Sequence, residues 1–395
     1  MPITGTDPRR GEWSHAAFVP EALPTTSPEL TGHTYRVVAD ARAALAALDS
    51  TARRLPDPRL FRRPSLQAEA QSTSALEGTY APLGDVLTAD DERPPSLDLR
   101  EVLNYVRMAE HAFRWVEEGR PLTVGMLGEL QAVLMHGTRG DDGSTGSVRR
   151  RQVVVGRRRE ARPDDLAVHA ARFVPSPPGL DLQADLQVLL GWMGASRGAH
   201  DIDPVVASAL AHYQFEALHP FDDGNGRIGR LLVVVHLQQQ GVLVEPTLTV
   251  SPWFETRRSE YYDHLLAVST TGDWDSFVRF FARGLDASAR TTHDRMLKLV
   301  DVRTSLKEKV RRSPLRADTA HLLVDVALAN VSFTVRAVAR ELGVSYGRAN
   351  TLVTQLVELD ILAPINRAGT SRRFFAPDVY DVLVRERTGS PARGE

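Results

Sequence analysis

The sequence predicts a mainly α-helical protein that contains one short β-hairpin and ends in three helices with a second hairpin. Apolar residues recur at helical spacing through most of the 395-residue chain, for example along residues 36–54. Short apolar runs bounded by glycine or proline, which are typical of strands, lie near residues 152–178 and 361–376. The hydrophobic content of 42% is ordinary for a globular protein, and this length is typical of two or three domains.

Composition excludes several classes of protein. A formal net charge of −2 argues against a protein coated by nucleic acid, although it allows one basic module. The absence of cysteine excludes disulfides and thiol chemistry. No apolar run approaches the ~18–20 residues of a membrane helix, and residues 1–10 lack the apolar segment of a secretion signal. We therefore expect a cytoplasmic protein with no membrane partner.

The N-terminal region, residues 1–95, is expected to combine an extended segment with helices. Residues 11–35 are rich in proline and predict a chain that wraps the surface in extended form. After the helix over residues 36–54, a second helix is predicted to begin with Ser65 as its N-cap and to end at Gly78.

The middle of the chain predicts a linker, several helices and the first hairpin. A polar, proline-rich linker over residues 88–97 is followed by amphipathic helices near 98–118 and 123–136, and a later helix is expected over 182–198.

The arginine triplet Arg149-Arg150-Arg151 suggests a basic nucleic-acid loop at first, but the glycines before it favour a mobile turn. A short strand is predicted over Gln152–Val155 and ends at Gly156, with a partner strand over residues 171–175.

The most informative stretch is His219-Pro220-Phe221-Asp222-Asp223-Gly224-Asn225-Gly226-Arg227-Ile228-Gly229-Arg230. Asp203 and Pro204 predict the N-cap and the first residue of the helix before it, and Gly241 ends the helix after it. The glycine turn therefore lies at the N-terminus of the second helix, where free N–H groups and the helix dipole favour an anion.

These twelve residues combine groups that bind a phosphate with a base that can take a proton from a hydroxyl. Glycines let the backbone approach a phosphate closely, and Arg227 and Arg230 can grip its oxygens. Asp223 is placed to hold a magnesium ion, which prefers one or two carboxylates plus substrate phosphates. His219 titrates near neutral pH and can take a proton from a hydroxyl. The set suits phosphoryl or nucleotidyl transfer; a polar glycine turn between core helices is the structural alternative.

The same stretch resembles the signature of the Fic (filamentation induced by cAMP) family, His-Pro-Phe-x-Asp/Glu-Gly-Asn-Gly-Arg-x-x-Arg. Every fixed position is matched, with Asp222 in the variable position. A motif of this length is far more specific than a lone glycine pattern. The resemblance implies a Fic-fold helical core and an enzyme that moves AMP from ATP to a Ser, Thr or Tyr hydroxyl of a protein.

The resemblance also implies a role for each residue of the signature. His219 is expected to deprotonate the target hydroxyl, and Asp223 to bind Mg²⁺. Arg227 is expected to contact the phosphates, and Arg230 to hold the γ-phosphate. The anion hole around the α- and β-phosphates is expected to consist of Gly224, Asn225 and Gly226.

An inhibitory segment is implied upstream. The run Thr73-Ser74-Ala75-Leu76-Glu77-Gly78 is similar to the family's inhibitory motif, Ser/Thr-x-x-x-Glu-Gly/Asn. Thr73 and Glu77 are four residues apart and share one helical face. The resemblance implies that Glu77 pairs with Arg230 and inhibits the enzyme. The structural alternative is a solvated helix end with a capping glycine.

Two further features are similar to the family. The hairpin near residues 152–178 resembles the flap, which holds the target segment beside the catalytic histidine by main-chain hydrogen bonds and so makes little demand on target sequence. Tyr261 and Tyr262 lie where the family contacts the ribose or base, although paired tyrosines on an amphipathic helix are more often packing residues.

The C-terminal residues 317–385 predict a winged helix-turn-helix, a fold that places a recognition helix in the major groove of DNA. A protein-docking or dimerising winged helix remains an alternative, because acidic residues offset the arginines. The candidate DNA contacts are Ser345, Tyr346, Arg348 and Thr351 on the helix, and Arg367, Arg372 and Arg373 at the wing.

The chain is thus predicted to be an autoinhibited protein adenylyltransferase that uses ATP and Mg²⁺. The alternatives are a DNA-binding regulator in which the Fic fold senses ATP, and a Fic enzyme that transfers another phosphate-containing group. The intact His219 and Asp223 favour the adenylyltransferase. The protein target, the signal that relieves inhibition and the oligomeric state, with a homodimer as one option, are left open. The predicted parts are the N-terminal region 1–95 with an inhibitory helix at about 65–78, the Fic core 96–290, a connecting helix or linker 291–316, the winged helix-turn-helix 317–385 and a disordered tail 386–395.

Overall fold

The computed structural model of the chain describes residues 1–8, 11–55, 57–89, 93–195, 199–315, 318–365 and 372–388, with side chains described to residue 384. Most of these residues are helical, which confirms the predicted mainly α-helical class. A 3₁₀ turn at Pro58–Phe61 precedes the second helix. In chain order the helices are α1 (Gly32–Arg54), α2 (Arg62–Leu76), α3 (Leu83–Thr88), α4 (Leu97–Glu117), α5 (Val124–Met135), α6 (Ala167–Ala170), α7 (Leu180–Met193), α8 (Pro204–Leu218), α9 (Asn225–Gln239), α10 (Ser251–Glu255), α11 (Arg258–Thr271), α12 (Trp274–Arg312), α13 (Asp318–Ala329), α14 (Val335–Glu341), α15 (Tyr346–Glu358) and α16 (Pro377–Thr388).

The strands are short and form small antiparallel sheets. Strand β1 pairs with β2, β3 pairs with β4, and β7 lies between β5 and β6. Their bounds are β1 (Pro2–Asp7), β2 (Gly11–Ala16), β3 (Val155–Arg157), β4 (Ala171–Phe173), β5 (Ser332–Thr334), β6 (Ala363–Ile365) and β7 (Arg373–Phe375).

Helices α8 and α9 pack against each other and are buried on almost every face. Helix α8 begins at Pro204, and the Asp203 side chain accepts a hydrogen bond from the Val205 N–H at 2.8 Å. Helix α9 ends before Gly241, whose φ is +65°. Because both helices are apolar and enclosed by neighbours, the loop between them is held on a rigid base.

Helix α2 is a core helix that ends at the site described below. It begins at Arg62, so the predicted start at Ser65 is wrong, and Ser65 is buried within the first turn rather than capping it. The reason is that the 3₁₀ turn runs straight into α2, which leaves no place for a side-chain cap. From Pro64 to Leu76 almost every residue of α2 is buried, with α4 and α10 packed against it.

The flap is present, but its first strand lies later than the sequence predicts. Strand β3 covers Val155–Arg157, so Gly156 lies inside the strand instead of ending it. The Gln152 side chain donates from Nε2 to the Pro175 carbonyl at 3.0 Å. This side-chain hydrogen bond joins the two ends of the flap at the point where the sequence predicted strand pairing.

The N-terminal β1–β2 hairpin packs its apolar side chains against the flap. Sequence patterns predicted an extended surface chain here and missed the hairpin.

Helix α12 is a single helix of 39 residues that packs along α1. The sequence predicted a separate connecting helix over residues 291–316. Buried apolar side chains instead continue at helical spacing from Leu285 to Val310, and α12 contains no proline. The same helix therefore packs against α8 as well as against α13 and α16 of the C-terminal part.

The C-terminal elements α13, α14 and α15 pack with the β5–β7–β6 sheet on the end of α12. Helix α16 follows and runs to Thr388, into the predicted tail; residues 389–395 lie outside the described residues. Among the described helices, none combines the length and apolar character that crossing a membrane requires.

Candidate active site

The signature loop begins at the C-terminus of α8. His219 has a left-handed backbone, with φ 51° and ψ 61°, which is uncommon outside glycine. Phe221 is fully buried beneath the loop. Asn225 accepts from the Phe221 N–H and donates to the Phe221 carbonyl, both at 2.8 Å. The Asn225 side chain therefore closes the loop, and its backbone N–H is the group it can offer to an anion.

The N-terminus of α9 has the geometry of an anion site. Gly224 has a φ of +87°, a conformation that favours glycine, and Gly226 leaves the space before the helix without a side chain. The first-turn N–H groups have no partner within the helix, and the helix dipole adds positive potential. Arg227 and Arg230 belong to the same helix, and each is 1% exposed.

Helix α2 delivers a carboxylate to this anion site. Arg230 donates from Nε to Thr73 Oγ1 at 2.7 Å, from Nη2 to the Thr73 carbonyl at 3.1 Å and from Nη2 to Glu77 Oε1 at 2.6 Å. The Glu77 carboxylate lies so close to Gly226 that a Cβ there would collide with it. The structure thus brings Thr73, Glu77 and Arg230 together, with Glu77 in the position that an anion would take.

The two carboxyl groups near Arg230 differ in charge. Burial alone would raise the pKa of Glu77, but Arg230 outweighs it and holds the pKa below its ordinary value. Burial raises the pKa of Glu216 to about 8, an effect that Arg230 opposes and Glu77 reinforces. At neutral pH the site therefore holds an ionised Glu77 and a mostly protonated Glu216.

His219 is poised as a neutral imidazole. Its Nδ1 lies 3.3 Å from the Glu216 carbonyl, which can only accept, so Nδ1 carries the proton and Nε2 presents its lone pair. Burial lowers the pKa of His219 to about 4; Glu77 and Asp223 oppose this shift, and Arg149 adds to it. His219 is thus a neutral imidazole at pH 7, and its Nε2 is able to take a proton.

Asp223 lies in the signature loop with a side chain that is 56% exposed. Its Oδ1 accepts from the Gly224 N–H at 2.5 Å and from Arg227 Nη2 at 3.0 Å. Within the described ranges, no group of three or more His, Asp or Glu side chains is placed to hold a metal. An exposed carboxylate beside an anion site fits a magnesium ion that a nucleotide's phosphates also bind.

Arg227 is held by acidic side chains rather than left open to an anion. Its guanidinium donates to Glu101 of α4 and to Asp223. Glu101 also accepts from Thr79 Oγ1 at 2.9 Å. Arg227 thereby orients Asp223 and ties α9 to α4, and its direct contact with phosphate stays a prediction.

A cavity of about 240 Å³ opens beside these residues. The flap contributes Val155 and Phe173 to its lining, and α11 contributes Tyr262 and Leu265. Three of the titratable side chains described above also line it: Glu77, Glu216 and His219. The cavity therefore joins an apolar chamber to the imidazole and the anion site.

Of the two predicted tyrosines, Tyr262 lines the cavity and Tyr261 does not. Tyr261 is fully buried, and its hydroxyl lies 2.7 Å from Nε2 of His212. Nδ1 of His212 lies 3.1 Å from the Gly229 carbonyl. Tyr261 is therefore a core residue that is linked to α9 through His212, and its contact with a nucleotide stays a prediction.

Sequence analysis missed two residues that support the site. Glu101 lies 126 residues from Arg227, so no local pattern could have paired them. Arg149 is 1% exposed and donates to carbonyl groups around His219, whereas the neighbouring Arg150 is exposed. Nothing in an arginine triplet distinguishes a buried member from its neighbours.

The candidate DNA contacts lie in the C-terminal module, and most of them are exposed. Arg373 is the exception, because it donates to the Ser332 carbonyl at 2.9 Å and to Ser332 Oγ at 2.8 Å. It joins β7 to β5, and its contact with DNA stays a prediction. Arg372 lies over the Phe374 ring, 4.9 Å from its centroid, and Arg367 lies outside the described residues. The exposed candidates on α15 and its N-cap are Ser345, Tyr346, Arg348 and Thr351.

Comparison with known proteins agrees with this geometry. Residues 35–114 match the model of the Fic/DOC family N-terminal region, and residues 121–237 match the model of the Fic/DOC family. The chain is also similar in fold to a crystal structure of a Fic family protein from Desulfovibrio desulfuricans. The TM-score is 0.54 at 22% identity, over 89% of this chain and 98% of that one.

The curated relatives are named protein adenylyltransferases. Over 223 residues the chain is 32% identical to protein adenylyltransferase Fic from Culex quinquefasciatus, which covers 56% of this chain and 37% of that protein. Over 157 residues it is 31% identical to protein adenylyltransferase fic-1 from Caenorhabditis elegans, which covers 36% of this chain and 29% of that protein. The chain thus spans between 29% and 37% of the length of these two relatives. With both family models matched and the full signature present, this chain belongs to the Fic/DOC family.

Proposed function

We propose that this protein is an adenylyltransferase that moves AMP from ATP to a Ser, Thr or Tyr hydroxyl of a protein, and that Glu77 restrains it. The observation that carries the proposal is a neutral His219 that lines one cavity with the carboxylate held at the anion site of α9. A protein that only sensed ATP would need the anion site but not the base.

The base follows from the geometry of His219. Because the Glu216 carbonyl fixes the proton on Nδ1, Nε2 can accept the proton of a target hydroxyl. The hydroxyl oxygen then attacks the α-phosphorus of ATP. The new O–P bond replaces the bond from the α-phosphorus to the bridging oxygen, and pyrophosphate leaves.

The nucleotide is expected to divide between two environments. Its phosphates suit the N–H groups of Asn225 and Gly226 with Arg230, and its base suits the apolar cavity beside Tyr262. Asp223 would hold Mg²⁺ together with the phosphates, and the ion would neutralise part of their charge. Arg227 supports this role by fixing the Asp223 carboxylate.

The flap is expected to hold the target. Strands β3 and β4 pair Val155 with Phe173 and Arg157 with Ala171, and the same strands line the cavity that contains His219. A short two-stranded ribbon can add an extended segment by main-chain hydrogen bonds, which requires little of the target's side chains.

Restraint by Glu77 follows from competition for Arg230. The Glu77 carboxylate stands beside Arg230 and Gly226, in the space that a γ-phosphate would need, and two anions would repel each other there. ATP that binds without Arg230 would place its α-phosphate away from the line of attack, and a shift of ~1 Å can cost about a hundredfold in rate.

The test is intact-mass analysis after incubation with ATP and Mg²⁺. We expect Glu77→Gly to add one AMP to itself or to a partner, and the double variant Glu77→Gly/His219→Ala to add none while still binding ATP. His136→Ala is the matched control, since the His136 side chain is 81% exposed. Transfer by the His219→Ala variant would remove His219 from the mechanism, and a mass other than AMP would identify another donor.

We infer a second function for the C-terminal module, namely that it is a winged helix-turn-helix that binds duplex DNA. The exposed first turn of α15 supports this: Tyr346 is 60% exposed, and Ser345 caps the helix by accepting from the Arg348 N–H at 3.3 Å. We expect Arg348→Ala to weaken binding more at a selected site than at random DNA, with Arg290→Ala unchanged. Selection from random duplexes that enriches no site would favour a protein-docking module.

A further inference from the structure

Arg149 is a buried cation that the mechanism above does not use. It is 1% exposed, and no carboxylate lies within ion-pair distance of it among the described residues. Burial lowers its pKa to about 10, which still leaves the guanidinium charged at neutral pH. Asp222 favours the charged form of Arg149 but forms no direct ion pair with it. The position of this buried charge therefore needs an explanation from its hydrogen bonds.

Arg149 binds the backbone of the catalytic histidine. The side chain of Arg149 donates from Nε to the His219 carbonyl at 2.7 Å and from Nη2 to the Leu218 carbonyl at 3.3 Å. Its backbone N–H donates to the Pro220 carbonyl at 2.9 Å. Three successive carbonyl groups are thus oriented by one residue. They surround the left-handed backbone of His219, a conformation that persists only where the surroundings hold it.

The same guanidinium binds both ends of the flap. Its Nη1 donates to the Arg151 carbonyl at 3.0 Å, and its Nη2 donates to the Ser176 carbonyl. Arg151 and Ser176 flank the segment that carries β3 and β4. A simple cap on the C-terminus of α8 would need no contact with the flap, so these bonds do more than end a helix.

We propose that Arg149 is a positioning residue that keeps His219 and the flap in one register, so that the hydroxyl held by the flap meets the imidazole. The proposal rests on the proposed function, since it assumes that the flap holds the target and that His219 is the base. The fork of the guanidinium is essential, because a single ammonium group cannot span the His219 and Ser176 carbonyl groups in fixed geometry.

The positive charge has a second consequence. Arg149 favours the neutral imidazole, whereas Glu77 and Asp223 favour the charged form. Removing the charge of Arg149 is therefore expected to raise the pKa of His219 and to move the acid limb of the pH–rate profile to higher pH.

The test compares Arg149→Met, Arg149→Lys and the exposed neighbour Arg150→Met, each in the Glu77→Gly background. We expect Arg149→Met to lower kcat for AMP transfer about a hundredfold and to leave KM for ATP within about threefold, because the phosphate site lies on α9. Arg149→Lys should recover the acid limb but not the full kcat, and Arg150→Met should match its parent.

Hydrogen exchange supplies a readout that does not depend on activity. Amides of β3 and β4 should exchange faster in Arg149→Met than in Arg150→Met, with α4 and α5 unchanged. Equal kcat values in these two variants, or equal flap exchange, would overturn the proposal. If Glu77→Gly transfers no AMP at all, the adenylyltransferase function fails, and the exchange comparison still decides the structural claim.

Discussion

Two buried arginines flank the signature loop, and they are held in different ways. Arg230 is paired with Glu77, a carboxylate that comes from a separate helix and is itself 30% exposed. Arg149 donates to carbonyl groups of the loop and the flap and to no carboxylate. An anion can replace a carboxylate, but it cannot replace a backbone carbonyl as an acceptor without breaking the loop. Arg230 is therefore suited to exchange Glu77 for another anion, whereas Arg149 is suited to hold the loop and the flap in a fixed position.

The largest expected effect is a difference in steady-state kinetics between variants of Arg230 and variants of Arg149. In the Glu77→Gly background, Arg230→Ala should raise KM for ATP and lower kcat/KM by about a hundredfold or more, because the γ-phosphate loses its charged partner. The Arg149 variants should lower kcat instead. Steady-state rates over a range of ATP concentrations measure both constants, and an unchanged KM in Arg230→Ala would contradict the exchange role.

A smaller effect should appear in stability. Arg149→Met leaves several buried carbonyl groups without donors and is expected to cost about 3 kcal/mol of unfolding free energy. Arg230→Met removes the donor to the buried Thr73 hydroxyl and leaves Glu77 unpaired, but Glu77 is 30% exposed and can hydrate, so a smaller cost of about 2 kcal/mol is expected. Urea denaturation of both variants, with Arg150→Met as the control, gives the order; a reversed order would show that Arg149 does not hold the loop and the flap in a fixed position.

The smallest effect concerns pH. Burial lowers the pKa of His219 to about 4 from the usual 6.5, so kcat/KM should hold most of its neutral value at pH 5.5. Removing Glu77, which raises the pKa of His219, should move the acid limb lower still. A profile of Glu77→Gly between about pH 4.5 and 8 measures this, and a half-maximal rate near pH 6.5 would show that the imidazole is not desolvated.

The fold class and the turn at the signature loop could be predicted from the sequence, because both depend on local patterns. Caps such as Asp203 and Gly241, and the glycine turn, are encoded in a few adjacent residues. The starts of α2 and β3 were misplaced because a 3₁₀ turn and side-chain contacts at the base of the flap replaced the expected cap and strand.

Contacts across long separations could not be predicted in the same way. The bond between Arg227 and Glu101 and the contacts of Arg149 depend on which helices meet, and composition does not record this. The proximity of Glu77 and Arg230, 153 residues apart, was expected only because of the family resemblance.

The exchange of Arg230 between Glu77 and ATP is tested most directly by incorporation of AMP from α-labelled ATP. Wild type, Glu77→Gly and Glu29→Gly, an exposed glutamate as the control, are compared at one ATP concentration. We predict that Glu77→Gly transfers AMP about a hundredfold faster than wild type and that Glu29→Gly matches wild type. Equal rates for wild type and Glu77→Gly would contradict the account, and would leave the Glu77–Arg230 pair as a structural contact alone.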